Sequence, residues 1–301
     1  MTDKIEASLL KNIHLLSHAL EEEKKMITST DGAFPSVDGL KEVIRYVNNI
    51  FFPDLFDKRR NGCEIRSFYI GVAVEKLYSV LSKEIARALM FGEVISEDEA
   101  FRRGKDLAAK FIDSLPEIKR LIYTDVKAMY QNDPAVDNCG EVILCYPVVR
   151  AMVHYRVAHS LFKLKIPVLP RILTELAHSA TGIDIHPGAE IGEYFAIDHG
   201  TGVVIGETCI IGHHVTLYQG VTLGAKNFTL DDSGHPINVP RHPILEDHVT
   251  VYSNASVLGR ITVGHHSIIG GNVWLTNSVP PESRILQRKP MATTFIDGLG
   301  I

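Results

Sequence analysis

The chain has 301 residues, of which 22% are charged, and a formal net charge of −5. This length allows two domains with sizeable cores, and the slightly acidic balance excludes the basic surface that binds nucleic acid or an anionic membrane. The sequence has no apolar run of about 18 residues and no signal peptide. Its four cysteines are scattered without metal-type spacing, so we expect a cytoplasmic protein with reduced thiols.

The first part of the chain has the apolar spacing of helices. Apolar residues recur at steps of three and four over 5–20 and again over 70–85, which predicts two amphipathic helices. Ser96 and Glu99 form a capping box, which predicts the start of another helix. Further helices are predicted over 105–113, 117–130, 147–164 and 169–178. Residues 1–180 are therefore predicted to form a helical domain.

A short polar segment, 132–137, ends one of these helices. It reads Asn-Asp-Pro-Ala-Val-Asp, and by itself it indicates a helix stop with Asp and Pro in the turn. A functional role for Asp133 is indicated only by the segments that follow it in the chain.

A repeat of six residues organises the chain from residue 181 to 282. From 245 onward an aliphatic residue returns at every sixth position: Leu245, Val251, Val257, Val263, Ile269 and Leu275. The same period runs earlier through Ile185, Ile191, Ile197 and Val203, and after a two-residue shift through Ile205, Ile211, Leu217 and Leu223. This period is typical of a parallel β-helix with three flat sides, in which the aliphatic residues stack inward. Residues 283–301 lie beyond the repeat and are predicted to be a tail.

The repeat is interrupted at two places, and both carry polar residues. The first is the segment 197–202, Ile-Asp-His-Gly-Thr-Gly. The second lies between Gly224 and Pro243, where the period vanishes and then resumes in register, which predicts a loop extruded from the coils. Loops of this length are mostly functional or disordered. We interpret His213, His214, His265 and His266, which sit in regular turns, as surface residues.

His199 is the strongest candidate for acid–base chemistry. Asp198 precedes it, and Asp184 lies 15 residues back, close to one coil below. A carboxylate bonded to one ring nitrogen fixes the tautomer and leaves the other nitrogen as a general base near neutral pH, although a purely structural Asp–His pair fits the same spacing. The extruded loop ends in Arg241 and His242, which could grip a carboxylate.

Several of these segments resemble the serine O-acetyltransferases, a family of hexapeptide-repeat acyltransferases. The similar segments are 133–137, 182–189, 197–208, 215–224 and 241–243, in this order along the chain. The resemblance is dense over 130–282 and loose over the helical region. It implies an α+β chain in which an α-helical domain precedes a left-handed parallel β-helix.

The resemblance also implies an activity. The enzyme would transfer the acetyl group of acetyl-CoA to the hydroxyl of L-serine, as the first step of cysteine biosynthesis, without a metal and with L-cysteine as a competing inhibitor. His199 would be the general base, and Asp184 would orient it. The L-serine pocket would be formed by Asp133, Asp198, Arg241 and His242. The acetyl-CoA groove, between neighbouring subunits, would lie near Gly224, Ala225, Ser253 and Ala255.

Three segments depart from the family pattern, and all of them concern the acetyl-CoA side. Residues 224–227 replace a Gly-Gly-Thr-Gly motif, 252–254 replace a stretch of small residues, and 286–290 replace a Gly-Val-Pro-Ala-Arg motif.

The resemblance further implies partners. A groove between subunits requires at least a trimer, and contacts between the helical domains of two trimers would give a hexamer; the sequence leaves both open. Family members commonly end in isoleucine, as this chain does at Ile301, and that tail is expected to dock in the active site of O-acetylserine sulfhydrylase, where backbone amides would capture its carboxylate.

Two other enzyme readings stay open from the residues alone. One is an O-acyltransferase of the same repeat class with a different acceptor. The other is a metalloenzyme of the γ-carbonic-anhydrase kind, which builds a zinc site from histidines on stacked coils, although a long helical domain has no role there. A non-catalytic β-helical scaffold would leave the grouping of His199, Arg241 and the extruded loop unexplained.

Overall fold

The computed structural model describes residues 2–18, 20, 34–56 and 63–287, and it consists of a helical region followed by a parallel β-helix. The helices of the described residues are Thr2–Ser17 (α1), Val37–Phe51 (α2), Pro53–Phe56 (α3), Cys63–Gly92 (α4), Glu97–Asn132 (α5), Cys139–Cys145 (α6), Pro147–Lys163 (α7) and Leu169–Thr181 (α8). None of these helices is long and apolar enough to span a membrane.

The predicted first helix forms, but its apolar face is not covered within the described residues. Ile5, Leu9, Ile13 and Leu16 of α1 are 58% to 85% exposed. An exposed apolar stripe of this kind marks an interaction surface more often than a solvated one.

The remaining helices pack around a continuous apolar core. The periodic residues of α4 face this core, and Leu77, Leu81 and Ile85 are fully buried. Ser96 caps α5 as predicted, because its hydroxyl accepts the amide hydrogen of Glu99. The prediction of separate helices over 105–113 and 117–130 is wrong, since α5 runs through Pro116 without a break. The apolar packing of the surrounding helices outweighs the local cost of the proline.

The β-helix has three parallel sheets, one for each side of the triangular coil. Sheet 1 contains Asp184–Ile185 (β1), Val204–Ile205 (β4), Thr222–Gly224 (β7), Ser256–Leu258 (β10) and Trp274–Leu275 (β13). Sheet 2 contains Glu190–Ile191 (β2), Ile210–Ile211 (β5), Ile244–Leu245 (β8) and Thr262–Val263 (β11). Sheet 3 contains Ala196–Asp198 (β3), Thr216–Tyr218 (β6), Thr250–Val251 (β9), Ile268–Ile269 (β12) and Arg284–Ile285 (β14).

The strand register explains the two-residue shift in the repeat. Ile185 pairs with Ile205, 20 residues on, whereas Ile205 pairs with Leu223, 18 residues on. The pairs in the other two sheets show that the first coil gains its two extra residues between β3 and β4, at the corner that carries His199.

The inward columns predicted from the sixfold period are confirmed. Ile185, Leu217, Val251 and Leu275 are each at most 8% exposed. The chain thus has the predicted α+β architecture, a helical region followed by a left-handed parallel β-helix. The loop between β7 and β8 projects from the coils as predicted and closes on itself at an Asp231 turn, whose carboxylate accepts the amide hydrogens of Ser233 and His235.

A buried ion pair fastens the helical region to the first coil. Arg156 of α7 donates two hydrogen bonds to Asp125 of α5, at 2.7 and 2.9 Å, and two more to the carbonyls of Ile191 and Gly192. The amide of Phe195 donates to the same carboxylate at 3.1 Å. Burial raises the pKa of Asp125 to about 6, and its bonds to Arg156 oppose that rise. These contacts fix where α5 ends against the β-helix.

Of the predicted tail, 283–301, the structure describes residues 283–287, and residues 288–301, with Ile301, lie outside the described residues. Strand pairing continues to Ile285, where β14 pairs with β12, three residues past the predicted limit of the repeat at 282.

Candidate functional site

His199 stands on an irregular corner of the first coil, which we call the His199 corner (residues 198–203). Its backbone has φ of 58°, and Gly200 and Gly202 follow with φ of 86° and 80°. A Cβ at Gly200 would lie 2.6 Å from the Ile183 side chain, so this turn requires glycine. The His199 side chain is 74% exposed, and its Nε2 lies 3.9 Å from the Asp198 carboxylate. The imidazole is therefore open to a substrate.

The end of α5 brings Asp133 to the same corner. The Tyr146 hydroxyl donates a hydrogen bond to one carboxylate oxygen, and the Ala135 amide donates to the other at 2.8 Å. These bonds, with a contribution from His199, lower the pKa of Asp133. Asp133 and Asp198 line one small pocket. Two carboxylates in one pocket favour a cationic group such as an ammonium.

Asp184 is not joined to His199 within the chain. No hydrogen bond or ion pair links the two side chains among the described residues. Asp184 lies on β1, and its carboxylate is within 4.8 Å of ligand atoms of Glu175 and His178. The orienting role of Asp184 stays a prediction.

Glu175, His178 and Asp184 form the only grouping of potential metal ligands found in the described parts of the chain.

Arg241 and His242 lie on a different corner, which we call the Arg241 corner (residues 206–209 and 241–243). This corner joins sheet 1 to sheet 2, whereas the His199 corner joins sheet 3 to sheet 1. Arg241 donates to the Glu207 carboxylate at 2.7 Å and to the Asn238 side chain at 2.9 Å. The single chain therefore places the predicted serine residues at two edges of the triangular coil.

His242 is held as a buried, neutral imidazole. The ring is 7% exposed, and its Nδ1 accepts the Thr208 amide hydrogen at 3.0 Å, which leaves the ring proton on Nε2. Burial, reinforced by the charge of Arg241, lowers the pKa of His242 to about 4. The ring packs so closely on Gly206 that a Cβ there would lie 2.1 Å from Cδ2.

The four residues predicted to contact acetyl-CoA lie at different corners of the triangular coil. Gly224 ends β7 and Ala225 begins the extruded loop, while Ser253 lies in the turn between β9 and β10, two coils above His199. Ala255 is fully buried, and its carbonyl accepts the amide hydrogen of Thr222. Its methyl group faces the interior of the β-helix, so a side-chain contact with a nucleotide is incompatible with its position.

The histidines interpreted as surface residues include members of an ordered stack on the third corner. The rings of Tyr194, His214, His248 and His266 lie parallel, with centroids 4.5 to 4.8 Å apart. Each of these residues has φ near 60°, so the stack follows one left-handed position repeated in every coil. The stack lies away from both polar corners.

Three residues that sequence analysis did not single out lie beside the predicted ones. Tyr146 holds Asp133, as described above. The Thr208 hydroxyl accepts the amide hydrogens of Arg241 and His242 and fixes the end of the loop. Gln219, next to the His199 corner in the second coil, has a buried side-chain oxygen without a hydrogen-bond partner in the described chain. None of the three has a distinctive spacing in the sequence, and the partners of Tyr146 and Thr208 lie 13 and 33 to 34 residues away along the chain.

The fold and the site together identify the class to which this protein belongs. A triangular β-helix with an expanded histidine corner, a carboxylate pocket and an extruded loop is a hexapeptide-repeat protein that carries an acid–base site on its coils. Comparisons with known proteins narrow this class.

No family model matches the chain. A protein described as "Serine acetyltransferase, plasmid" from Synechococcus elongatus is 45% identical over 274 residues, which cover 89% of this chain and 86% of that protein. The solved structure of Entamoeba histolytica serine acetyltransferase 1 in complex with L-cysteine is 36% identical, with a TM-score of 0.71 over 81% of this chain and 86% of that one. A serine acetyltransferase solved as a complex with CoA is 26% identical, with a TM-score of 0.53 over 84% of this chain and 97% of that one.

The chain belongs to the serine acetyltransferase family, because the Synechococcus relative matches it over most of both lengths. The resemblance found in the sequence is thereby confirmed.

Proposed function

We propose that this protein transfers the acetyl group of acetyl-CoA to the hydroxyl of L-serine, giving O-acetyl-L-serine and CoA. The observation that carries this proposal is the convergence of Asp133, Asp198 and an exposed His199 on one corner, in a chain whose relatives are serine acetyltransferases. The two carboxylates suit the ammonium group of an amino acid, and the adjacent imidazole suits deprotonation of its hydroxyl.

The chemistry follows from these groups. His199 takes the proton of the serine hydroxyl while the oxygen attacks the thioester carbonyl; a C–O bond forms, the C–S bond breaks, and the imidazolium returns the proton to the CoA sulfur. General-base assistance contributes roughly 10²–10⁴-fold, and the rest of the acceleration comes from holding both substrates in line. Asp184 would orient His199 if the corner closes around substrate. In this account no metal takes part.

We place the completed site between subunits. Arg241 and His242 lie at the opposite edge of sheet 1 from His199, so a threefold arrangement that sets the Arg241 corner of one subunit beside the His199 corner of the next would supply the cation that the serine carboxylate needs. Gly224, Ala225 and Ser253, with the backbone of Ala255, would then border acetyl-CoA in the same groove. The exposed apolar face of α1 supports contacts between helical domains, which would join two such trimers.

L-cysteine is proposed as an inhibitor that competes with L-serine. The two amino acids differ only by sulfur for oxygen, so a pocket that grips the ammonium and carboxylate groups cannot exclude cysteine through those contacts. The Entamoeba relative with L-cysteine bound supports this point. The division into a helical domain (1–180), a β-helix and a tail belongs to the same proposal, with the β-helix extended from its predicted end at 282 to Ile285 because its last strand pairs there. A cytoplasmic location also belongs to it, which the unpaired thiols of Cys139, Cys145 and Cys209 support.

The sulfhydrylase partnership is proposed on the resemblance alone. Deleting Ile301 should abolish binding of the full chain to the O-acetylserine sulfhydrylase of the same organism while acetyl transfer continues. If the truncated chain binds the sulfhydrylase as well as the full chain does, the tail does not take part in the interaction.

The proposed reaction is tested by measuring thiol release from acetyl-CoA against a panel of L-serine, L-threonine, L-homoserine and a sugar alcohol. We expect release with L-serine to exceed release with every other acceptor. A clear preference for a different hydroxyl would overturn the assignment of the acceptor while leaving the acyltransferase chemistry in place.

A further inference from the structure

A second pocket lies on the helical side of Tyr146. It is a cleft of about 350 Å³ between α2, α6 and α7, and we call it the α2–α7 cleft. Tyr146 forms a wall of this cleft and also a wall of the Asp133 pocket. The two pockets are therefore neighbours that share one side chain.

Part of the lining of the cleft is apolar. Ile44, Phe52, Val149 and Val153 line it, and each is at most 6% exposed. An apolar wall of this kind favours burial of a hydrocarbon side chain, and the volume is in the range of small-molecule sites.

The lining of the cleft also includes polar groups that lack partners among the described residues. Arg150 lines the cleft and is exposed, and its guanidinium makes no hydrogen bond or ion pair with any described residue. Asn48 also lines the cleft, and its side-chain amide is likewise without a partner in the described parts of the chain. Free groups of both kinds at one cleft can bind the charged ends of a small molecule.

His154 adds a buried acceptor to this set. The side chain is 9% exposed, and its Nδ1–H donates to the Arg150 carbonyl at 2.8 Å, so Nε2 carries the lone pair and has no protein partner within the described residues. Burial lowers the pKa of His154, which keeps the ring neutral near pH 7. A neutral Nε2 accepts a hydrogen bond from a ligand N–H group.

We propose that the α2–α7 cleft binds a free amino acid with an apolar side chain and that its occupancy regulates the neighbouring serine pocket. Arg150 holds the carboxylate, Asn48 and His154 accept hydrogen bonds from the ammonium group, and the apolar wall takes the side chain. Regulation acts through Tyr146, whose hydroxyl holds Asp133. The regulatory part rests on the proposed function, whereas the binding part does not.

Binding is tested by calorimetric titration of L-phenylalanine into the full-length protein without substrates. We expect saturable binding that weakens by at least about 10-fold in Arg150→Gln and is unchanged in Arg45→Gln, a matched loss of charge on the outer face of α2. Asn48→Phe, which fills the cleft, should abolish binding, and phenethylamine, which lacks the carboxylate, should not bind. The absence of saturable binding to the wild type, or wild-type affinity in Arg150→Gln, would overturn the proposal. Loss of binding in Asp133→Asn would also overturn it, because the ligand would then occupy the serine pocket.

Regulation is tested by the KM for L-serine with and without saturating L-phenylalanine. We expect a change of about 5-fold or more in the wild type and none in Arg150→Gln, because a ligand shifts its neighbour only through a coupling between the two sites. An unchanged KM in an active enzyme overturns the regulatory part. A protein that binds L-phenylalanine and shows no acetyl transfer contradicts the proposed function instead.

Discussion

The Asp125–Arg156 pair allows a prediction about how the site is positioned. Asp125→Asn keeps the shape of the side chain but removes its charge, and Arg156, which is 4% exposed, would then be a buried cation with only two carbonyl acceptors and one amide oxygen. Breaking a buried pair by removing one charge costs about 3–5 kcal/mol. With an unfolding entropy of about 2.1 cal/mol/K for each of the 301 residues, this corresponds to a fall in Tm of about 5–8 °C.

The measurement is thermal unfolding followed by circular dichroism, with Asp38→Asn as the matched control. Asp38 is bonded to Lys41 on the exposed surface of α2, so its substitution should not change Tm measurably. We also expect the KM for L-serine to rise in Asp125→Asn, since the pair sets the position of Asp133 at the end of α5. A Tm shift in Asp125→Asn as small as that of the control would refute the reasoning that this pair anchors the helical region.

Three further outcomes follow from the geometry. Tyr146→Phe removes the hydroxyl that holds Asp133, so the KM for L-serine should rise by roughly 10-fold, the lower range for a hydrogen bond to a charged group, in steady-state kinetics. Gly206→Ala should reduce acetyl transfer and lower Tm, because its methyl group would occupy the position of the His242 ring; wild-type activity would contradict the packing described here. The pKa of His242 is about 4 in the folded protein and about 6.5 when unfolded, so the folded state binds the proton less readily. The contribution of this residue to stability is present above about pH 6.5 and lost as the pH falls toward 4, and His242→Gln should flatten the dependence of Tm on pH in that window.

The β-helix could be predicted closely because its sequence signal is local and periodic. Each aliphatic residue from Leu245 to Leu275 must point inward once the coil has three sides of six residues, so spacing alone identifies the core. The two-residue shift before Ile205 likewise marked the expanded corner beside His199.

The arrangement of the site was harder to predict from the sequence, because it depends on contacts between distant segments. Asp133 reaches the His199 corner only because α5 docks on the first coil, and the bond that fixes it comes from Tyr146, 13 residues away along the chain. Counting coils placed Asp184 near His199 but could not show the left-handed φ of the histidine or the exposure of its side chain. The continuous α5 was missed for a similar reason, since Pro116 is a strong local signal that tertiary packing overrides.

The central claim, that His199 is the general base, is tested most directly by thiol release in His199→Ala, with His213→Ala as the control. Both side chains are exposed, at 74% and 54%, and they stand on different corners of the coil, so neither substitution should lower Tm. The account predicts a fall in kcat of roughly 10²–10⁴-fold for His199→Ala and wild-type turnover for His213→Ala. If His199→Ala keeps more than about a tenth of the wild-type turnover, the general-base role is contradicted, because such a loss is well below what general-base assistance contributes.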